Sequence, residues 1–327
     1  MTGRAEDLAI VIIGRNEGER LIRGLASAKG AAARIVYVDS GSTDGSVAAA
    51  RAAGAEVVEL DRSAPFTAAR ARNAGFARLR EAGEMPRFVQ FIDGDCALAP
   101  GWLAKGVAAL ENDPGLGLVT GWRSELHPDA SVYNAMAEIE WRRPPGPIRV
   151  CGGDMMVRSA AFEAVGGFDP EVIAAEDDEI CLRLGKAGWR LRRLPVGMTY
   201  HDLAMTRFSE WWRRAVRTGH GFAQVGDMHP DHFVAERRRA WIYAAALLAL
   251  VVGVLAGSVL LAGGALALFA VSYIRTAIGL ARAGQPWGQS LHHAILLSLS
   301  KFPNLIGMLK YHWRKRRRGR MEIIEYK

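Results

Sequence analysis

Short apolar runs separated by polar, glycine-bearing breaks set the rhythm of the first half of the chain. Residues 8–13 (LAIVII) predict a first buried strand, which breaks at residues 14–18 (GRNEG) before a helical stretch over about residues 19–28. A second strand at residues 35–38 runs into DSGSTDGS at residues 39–46, whose Ser, Thr and Asp side chains suit the start of a helix at residues 47–53. Residues 55–60 predict a third strand, and residues 66–80 (FTAARARNAGFARLR) an arginine-rich helix whose apolar positions are mostly alanine. RFVQFIDGDC follows at residues 87–96, an apolar strand that stops at two carboxylates separated by one glycine. Strand and helix alternate throughout, which predicts βαβ units and an α/β fold.

Asp93 and Asp95 would stand at the carboxyl end of that strand, where open α/β sheets bind ligands. Gly94 lets both side chains approach one point. Hard oxygen ligands at this spacing suit Mg²⁺ or Mn²⁺ together with a diphosphate, although a D-G-D tripeptide also suits a solvated turn. Arg70, Arg72 and Arg78 fit a solvated helix face, but Arg72, beside Asn73 and Gly75, is placed to reach a phosphate or base at the Asp93 strand. Glu176, Asp177, Asp178 and Glu179 open another helix, where acids also favour the helix dipole. Their mutual repulsion raises the pKa of whichever is least solvated.

The pattern changes after residue 205. SEWWRRAVRTGHGF at residues 209–222 reads as an amphipathic helix, with Trp211 and Trp212 beside Arg213, Arg214 and Arg217. It fits a membrane surface and equally a lid or acceptor platform. Residues 241–274 carry no charged side chain, too long a stretch for one span of roughly 20 residues. A two-span hairpin turning within residues 253–264 is expected, each span somewhat short. A third apolar stretch at residues 292–309 contains Lys301 and Pro303 and predicts an interfacial or re-entrant helix. Arg237, Arg238 and Arg239 precede the hairpin, Arg275 and Arg282 follow it, and RKRRRGR at residues 314–320 forms a basic tail, so all three groups are expected on the cytoplasmic side.

Composition sharpens this picture. With 327 residues, half of them hydrophobic, the chain accommodates one large α/β domain and additional segments. A formal charge of +8 calls for an anionic partner. No nucleic-acid module is recognisable, and the basic tail lies next to membrane-active helices, so anionic lipid is the expected partner. Cys96, Cys151 and Cys181 are dispersed in sequence, giving neither a zinc motif nor a disulfide framework and fitting a reducing compartment. Glu6 and Asp7 stand where a secretory signal would be basic, so no signal is expected.

Taken together, AIVIIGRNEG, IVYVDSGSTDGS, ARARNAGF and FIDGDCAL, then Gly152-Gly153, RSAAFEAVGGFDP and AEDDEICLRLGKAGWR, resemble the ordered motifs of the family 2 glycosyltransferases over residues 7–205. The resemblance implies a GT-A fold, Rossmann-like with a mostly parallel sheet and flanking helices, to which the sequence adds a C-terminal transmembrane hairpin. It implies that Asp39 meets the nucleotide base, Glu17 the ribose side, and Arg72 and Asp93 the nucleotide sugar. Asp93 and Asp95 would bracket Mg²⁺ or Mn²⁺, with His201 as a further metal ligand; a lone histidine is otherwise most often a surface or satisfied core residue. Asp177 would be the general base of an inverting transfer. Gly153, Asp154 and Glu176 would lie on the acceptor side, with Trp211 and Trp212 beside them if they form a platform.

The expected division is a catalytic domain at residues 1–205, interfacial helices at 206–239, two transmembrane helices at 240–282, and an interfacial helix with a basic cytoplasmic tail at 283–327. Such a chain would sit in the inner membrane as a multi-pass protein, its catalytic domain cytoplasmic. It would pass a sugar from a nucleotide-sugar donor to a lipid-linked or glycan acceptor, as in polysaccharide biosynthesis. Two other readings remain: a non-catalytic membrane scaffold, and a nucleotidyltransferase on a similar fold. Intact Asp93, Asp95 and Asp177 argue against the first, and the missing lysine in GRNEG against the second.

Overall fold

The computed structural model describes residues 7–61, 63–317 and 319. The chain divides into two compact units, residues 1–206 and 207–327. Among its described residues the first contains nine strands: β1 Leu8–Gly14, β2 Arg34–Asp39, β3 Glu56–Glu59, β4 Phe88–Asp93, β5 Cys96–Leu98, β6 Leu116–Glu125, β7 Gly146–Pro147, β8 Met155–Arg158 and β9 Arg190–His201. Its helices are α1 Glu19–Ala28, α2 Ser46–Ala52, α3 Ala68–Glu81, α4 Trp102–Asn112, α5 Val132–Trp141, α6 Ser159–Ala164 and α7 Glu176–Lys186.

The strands form one sheet in the order β3-β2-β1-β4-β8-β6-β9-β5, with β7 paired to β9. From β3 to β4 every pairing is parallel, as a βαβ pattern demands. Beyond β4 the sheet is mixed: β8 runs antiparallel to both β4 and β6, whereas β6 and β9 are parallel. An unbroken parallel run is therefore confined to the half that the alternating pattern covered, and among the described residues the β6–β9 pair is the one parallel pairing beyond it.

Both sheet faces are covered, and β1 shows how. Ala9, Val11 and Ile13 pack with Phe76, Phe162 and Ile180 on one face, while Leu8, Ile10 and Ile12 pack with Leu21, Leu25 and Trp102 on the other. That two-sided burial is why the strand reads as an unbroken apolar run. Gln90 is the polar exception in β4. Fully buried, it accepts from the Trp102 indole at 2.7 Å and donates to the Phe91 carbonyl at 2.8 Å.

Register then aligns the chemistry. Gly14 lies opposite Asp39, and Ile13 opposite Asp93, so the β2 and β4 carboxylates reach the same end of the sheet on either side of β1. The chain leaves β1 in both directions at this point, the position at which such sheets open a crevice.

The second unit is helical: α8 Phe208–Met228, α9 Val234–Leu255, α10 Val259–Arg282, α11 Trp287–Leu299 and α12 Lys301–Arg316. Helices α9 and α10 are long and apolar enough to cross a membrane, at 22 and 24 residues. They form a hairpin. Tyr243 donates to Ser272 at 2.6 Å, and a Cβ on Gly253 would lie 2.6 Å from the Ala262 nitrogen, so that close approach requires glycine. The turn is tighter than the sequence suggested, because Ser258 caps α10 through the Leu261 amide and Gly257 takes a left-handed φ of 66°. Both helices also extend into their basic flanks, so neither is short. The stretch at residues 292–309 is two helices, α11 and α12, rather than one. Helix α12 packs against α8, where Gly219 and Gly307 leave no room for a Cβ. Of the basic tail, Arg318 and Arg320 lie outside the described residues, as do residues 1–6 and Lys327.

Candidate active site

Two loops at the ends of β1 and β2 brace each other. Asn16 donates its amide to Ser42 Oγ at 2.9 Å and accepts from the Thr43 amide at 2.7 Å; Asp44 accepts from the Gly18 amide at 3.2 Å. Asp39 is buried at the end of β2 and shapes this region from within. It accepts from the Gly41 and Ser42 amides at 2.9 and 2.8 Å and from the Tyr37 hydroxyl at 3.0 Å. Burial, together with the Asp39 charge, pushes the Tyr37 phenol well up, which keeps it a donor. Glu17 pairs with Arg20 at 2.8 Å one turn into the following segment.

Arg72 lies on the sheet side of α3 and is only 2% exposed, so it is no part of a solvated face. Its two terminal nitrogens reach in different directions: Nη2 donates to Asp93 at 2.7 Å and Nη1 to Glu176 at 2.8 Å. One planar guanidinium thereby ties β4 to α7. Gly153 makes this possible, since a Cβ there would lie 2.3 Å from Arg72 Nη2. Asp93 meets a second cation on its other oxygen, Arg123 of β6, at 3.3 Å. Burial pushes the Asp93 carboxyl up, but Arg72 and then Arg123 outweigh it and hold it below the usual carboxylate range.

Asp154, expected on the acceptor side, is instead 1% exposed and fully engaged in the sheet. It accepts from the Asp93 amide at 3.1 Å, from Thr199 at 2.6 Å and from Arg123 at 2.9 Å. It therefore fixes the end of β4 and the orientation of Arg123. Glu176 is likewise buried and turned toward Arg72.

His201 is the last residue of β9, and its pairing partner in β5 is Cys96. That register brings its Nε2 to 3.3 Å from Asp95 Oδ1, with Nδ1 3.5 Å from Glu125. Burial lowers the imidazole pKa, and the Asp95 and Glu125 carboxylates more than reverse this, raising it above the ordinary value. Cys96 lies near the Asp95 carboxylate and the His201 ring, but burial, reinforced by Asp154, pushes its thiol well up. It remains a neutral thiol, unsuited to a hard cation.

The donor set fits a divalent cation of the Mn²⁺ or Mg²⁺ type at Asp95 and His201: a carboxylate and an imidazole, the latter oriented by Glu125 behind it. Both Asp93 oxygens face guanidinium groups, so Asp93 is a poorer ligand than the sequence implied.

Asp177 is the second residue of α7, whose N-cap Ala175 takes a left-handed φ of 60° that is costly for a residue with a Cβ. The carboxylate is half-buried, accepts from the Asp178 amide at 3.0 Å and stands 4.0 Å from the position of a Cβ on Gly152. Among the described residues no ion pair holds it. Burial first, then Glu176 and Asp178, push its pKa well up. Cys151 and Cys181, distant in sequence, meet close by in the core as free thiols 3.5 Å apart.

The first unit thus gathers Arg72, Asp93, Asp95, Gly153, Asp154, Glu176, Asp177 and His201 at one end of the sheet, with Asp39 and Glu17 on the β1 and β2 loops. Trp211 and Trp212 belong to α8 in the second unit; Trp211 is buried, and both rings neighbour Phe208, at 5.3 and 5.7 Å between centroids. Sequence reading missed Arg123 and Glu125. The available signal was the switch from apolar to polar residues within one strand, TGWRSE at residues 120–125.

The model of the glycosyl transferase family 2 matches residues 9–164, and that of the glycosyl transferase family group 2 matches residues 88–302. The chain belongs to the family 2 glycosyltransferases. Among similar proteins is the pre-mycofactocin glycosyltransferase of Mycobacterium tuberculosis, 29% identical over 241 residues, covering 69% of this chain and 48% of that protein. The chain therefore spans about half the length of that relative. Another from the same organism is the N-acetylglucosaminyl-diphospho-decaprenol L-rhamnosyltransferase, 28% identical over 271 residues, covering 64% of this chain and 88% of that protein. The mannosyltransferase of Pyrobaculum calidifontis, solved in complex with GDP-Man and Mn²⁺, shares the fold at a TM-score of 0.66 and 21% identity. That alignment covers 96% of this chain and 89% of the other.

Proposed function

We propose that this chain is a metal-dependent, inverting glycosyltransferase that takes a sugar from a nucleotide-sugar donor to a lipid-linked or glycan acceptor at the cytoplasmic face of a membrane. The observation that carries this reading is the placement of a half-buried carboxylate of raised pKa, Asp177, at the same sheet end as the Arg72–Asp93 pair and the Asp95–His201 pair. A raised pKa suits a residue that must take a proton near neutral pH.

In this reading Asp39 and Glu17 face the base and ribose from the braced loops. Arg72 fixes Asp93 against the donor, and Arg123 with Asp154 keeps that strand end from shifting. A divalent cation held by Asp95 and His201 would neutralise charge on the departing diphosphate. Asp177 accepts the acceptor's proton from the opposite side, at the opening left by Gly152, and attack from that side inverts the anomeric centre. Support for the donor class comes from the solved neighbour bound to GDP-Man and Mn²⁺, and for a lipid-linked acceptor from the relative named for a diphospho-decaprenol substrate.

The four-part division at residues 205, 239 and 282, the inner-membrane placement and the cytoplasmic catalytic domain belong to the same proposal. Their support is the α9–α10 hairpin with basic residues at its base and the exposed apolar side chains at its tip, Leu255, Val259 and Leu260 each more than 80% exposed. The acceptor-platform role of Trp211 and Trp212 rests on their place in the sequence, a few residues after the end of the catalytic motifs. Screening nucleotide sugars for metal-dependent hydrolysis by the full chain tests the activity. No turnover and no binding of any nucleotide sugar would leave the scaffold reading in its place.

A further inference from the structure

The helical unit contains a cavity of about 610 Å³ among α9, α10, α11 and α12. Three cationic residues line it: Arg239 from α9, Arg275 from α10 and Lys301 from the first turn of α12. Their charges are poorly compensated. Among the described residues Arg275 and Lys301 form no ion pair, and the contact of Arg239 with Glu236 is a long 3.9 Å between exposed groups. Lys301 donates to the Leu297 carbonyl at 2.7 Å and to Ser300 at 3.2 Å, so its position is fixed by neutral partners. Burial, then the nearby Arg239 charge, bring its ammonium down to about 8. Ser272, Thr276 and Ser298 add hydroxyls to the lining, and Leu268 and Val271 are among its apolar residues.

The level of the cations selects the ligand. Arg239 is 16 residues before the end of α9 at Leu255, and Arg275 is 16 residues after the start of α10 at Val259. At 1.5 Å per residue both Cα atoms sit roughly 24 Å from the hairpin tip, and their long side chains span the remaining roughly 6 Å to the margin of a hydrocarbon core about 30 Å thick. Phosphate headgroups lie at that depth, with acyl chains running from there toward the tip.

We propose that this cavity binds one anionic phospholipid, its phosphate between Arg239, Arg275 and Lys301 and its acyl carbons along Leu268 and Val271. The inference rests on the reading that the hairpin lies in a bilayer. Three cations in one pocket prefer a headgroup of net negative charge over a zwitterionic one, which carries its own ammonium. Each cation at such a surface contributes about a fivefold factor in affinity.

The test uses the full chain in dodecyl maltoside, with bound lipid counted by native mass spectrometry. One phosphatidylglycerol per chain should survive conditions that strip phosphatidylcholine, and the Arg275→Gln/Lys301→Gln variant should bind it at least about tenfold more weakly. Val271→Trp, which narrows the apolar wall and leaves every charge in place, should also lose it, with circular dichroism melts confirming that both variants fold. Unchanged phosphatidylglycerol affinity in the folded charge variant overturns the site. Equal occupancy by inorganic phosphate alone overturns the lipid assignment in favour of a free anion. Co-sedimentation with phosphatidylcholine vesicles reads the bilayer premise separately, and its failure removes the premise whatever the pocket binds.

Discussion

Arg72 and Asp93 stand 21 residues apart in sequence and 2.7 Å apart in space, and the same guanidinium continues to Glu176. The pair joins the strand that presents the D-G-D motif to the helix that presents the proposed base. Because Arg72 is buried, its removal takes this partner from Glu176 and leaves Asp93 with Arg123 alone.

Arg72→Gln should therefore cost about 3–5 kcal/mol of stability, the usual result of breaking a buried ion pair by deleting one partner. Arg72→Lys keeps the charge but cannot direct two donors along separate lines, so it should recover part of the stability and little of the donor affinity. Urea unfolding and nucleotide titration, run side by side, check this. Near-normal stability of Arg72→Gln would mean that Asp93 and Glu176 find other partners.

The two aspartates of the motif should separate in their effects. Asp95→Asn leaves the arginine clamp untouched and should abolish the gain in donor affinity on adding Mn²⁺, with little change in unfolding. Asp93→Asn should instead destabilise the fold, since Arg72 and Arg123 each lose one of their two carboxylate partners and keep only Glu176 and Asp154. Calorimetric titration of donor with and without Mn²⁺ decides between them, and full metal-dependent binding by Asp95→Asn would remove that residue from the metal site.

Much of this was legible in the sequence because the parallel half of the sheet is built from local βαβ units, each with its own apolar run and capping loop. Asp39, Asp93 and Asp95 occur at or just past the ends of such runs, and Arg72 lies within the helix that leads into the last of them. Arg123, Glu125 and the structural role of Asp154 were not legible. They meet only because β6, β8 and β9 pair across long intervals of chain, and no periodicity records which distant strand lies beside which. The hairpin turn was hidden for another reason. Nothing in a uniformly apolar stretch marks a helix end except a cap, and Gly257-Ser258 was a weak signal among several other glycines.

Asp177 links catalysis to stability with opposite signs. Its folded-state pKa is raised, so the stability it contributes is present in its protonated form, below the ordinary carboxylate pKa, and is lost as pH rises through the raised value. At pH 8 the ionised, half-buried carboxylate is a burden on the fold. Asp177→Asn should then melt a few degrees higher than the parent at pH 8, and at nearly the same temperature at pH 4. Transfer should fall by about 10²–10⁴ while donor binding persists, and the parent's rate should climb with pH through the same raised pKa. If Asp178→Asn shows these effects and Asp177→Asn does not, the base is one residue further along α7.

The hairpin makes the firmest commitment about topology. Helices of 22 and 24 residues reach roughly 33–36 Å, enough to cross a hydrocarbon core, and two crossings return the chain to the side from which it left. Arg237, Arg238 and Arg239 at the base of α9 and Arg314, Lys315 and Arg316 at the end of α12 would all face the cytoplasm, where nucleotide sugars are made. The tip, residues 256–258, would face the opposite side. The native cysteines are buried, so one added thiol at a time reports its own position. A cysteine replacing Ala256 should react with a membrane-impermeant maleimide added to intact spheroplasts, and one replacing Arg316 should react only after the membrane is opened. Labelling of both in intact spheroplasts rules out the two-span arrangement, and labelling of neither places the hairpin within one leaflet.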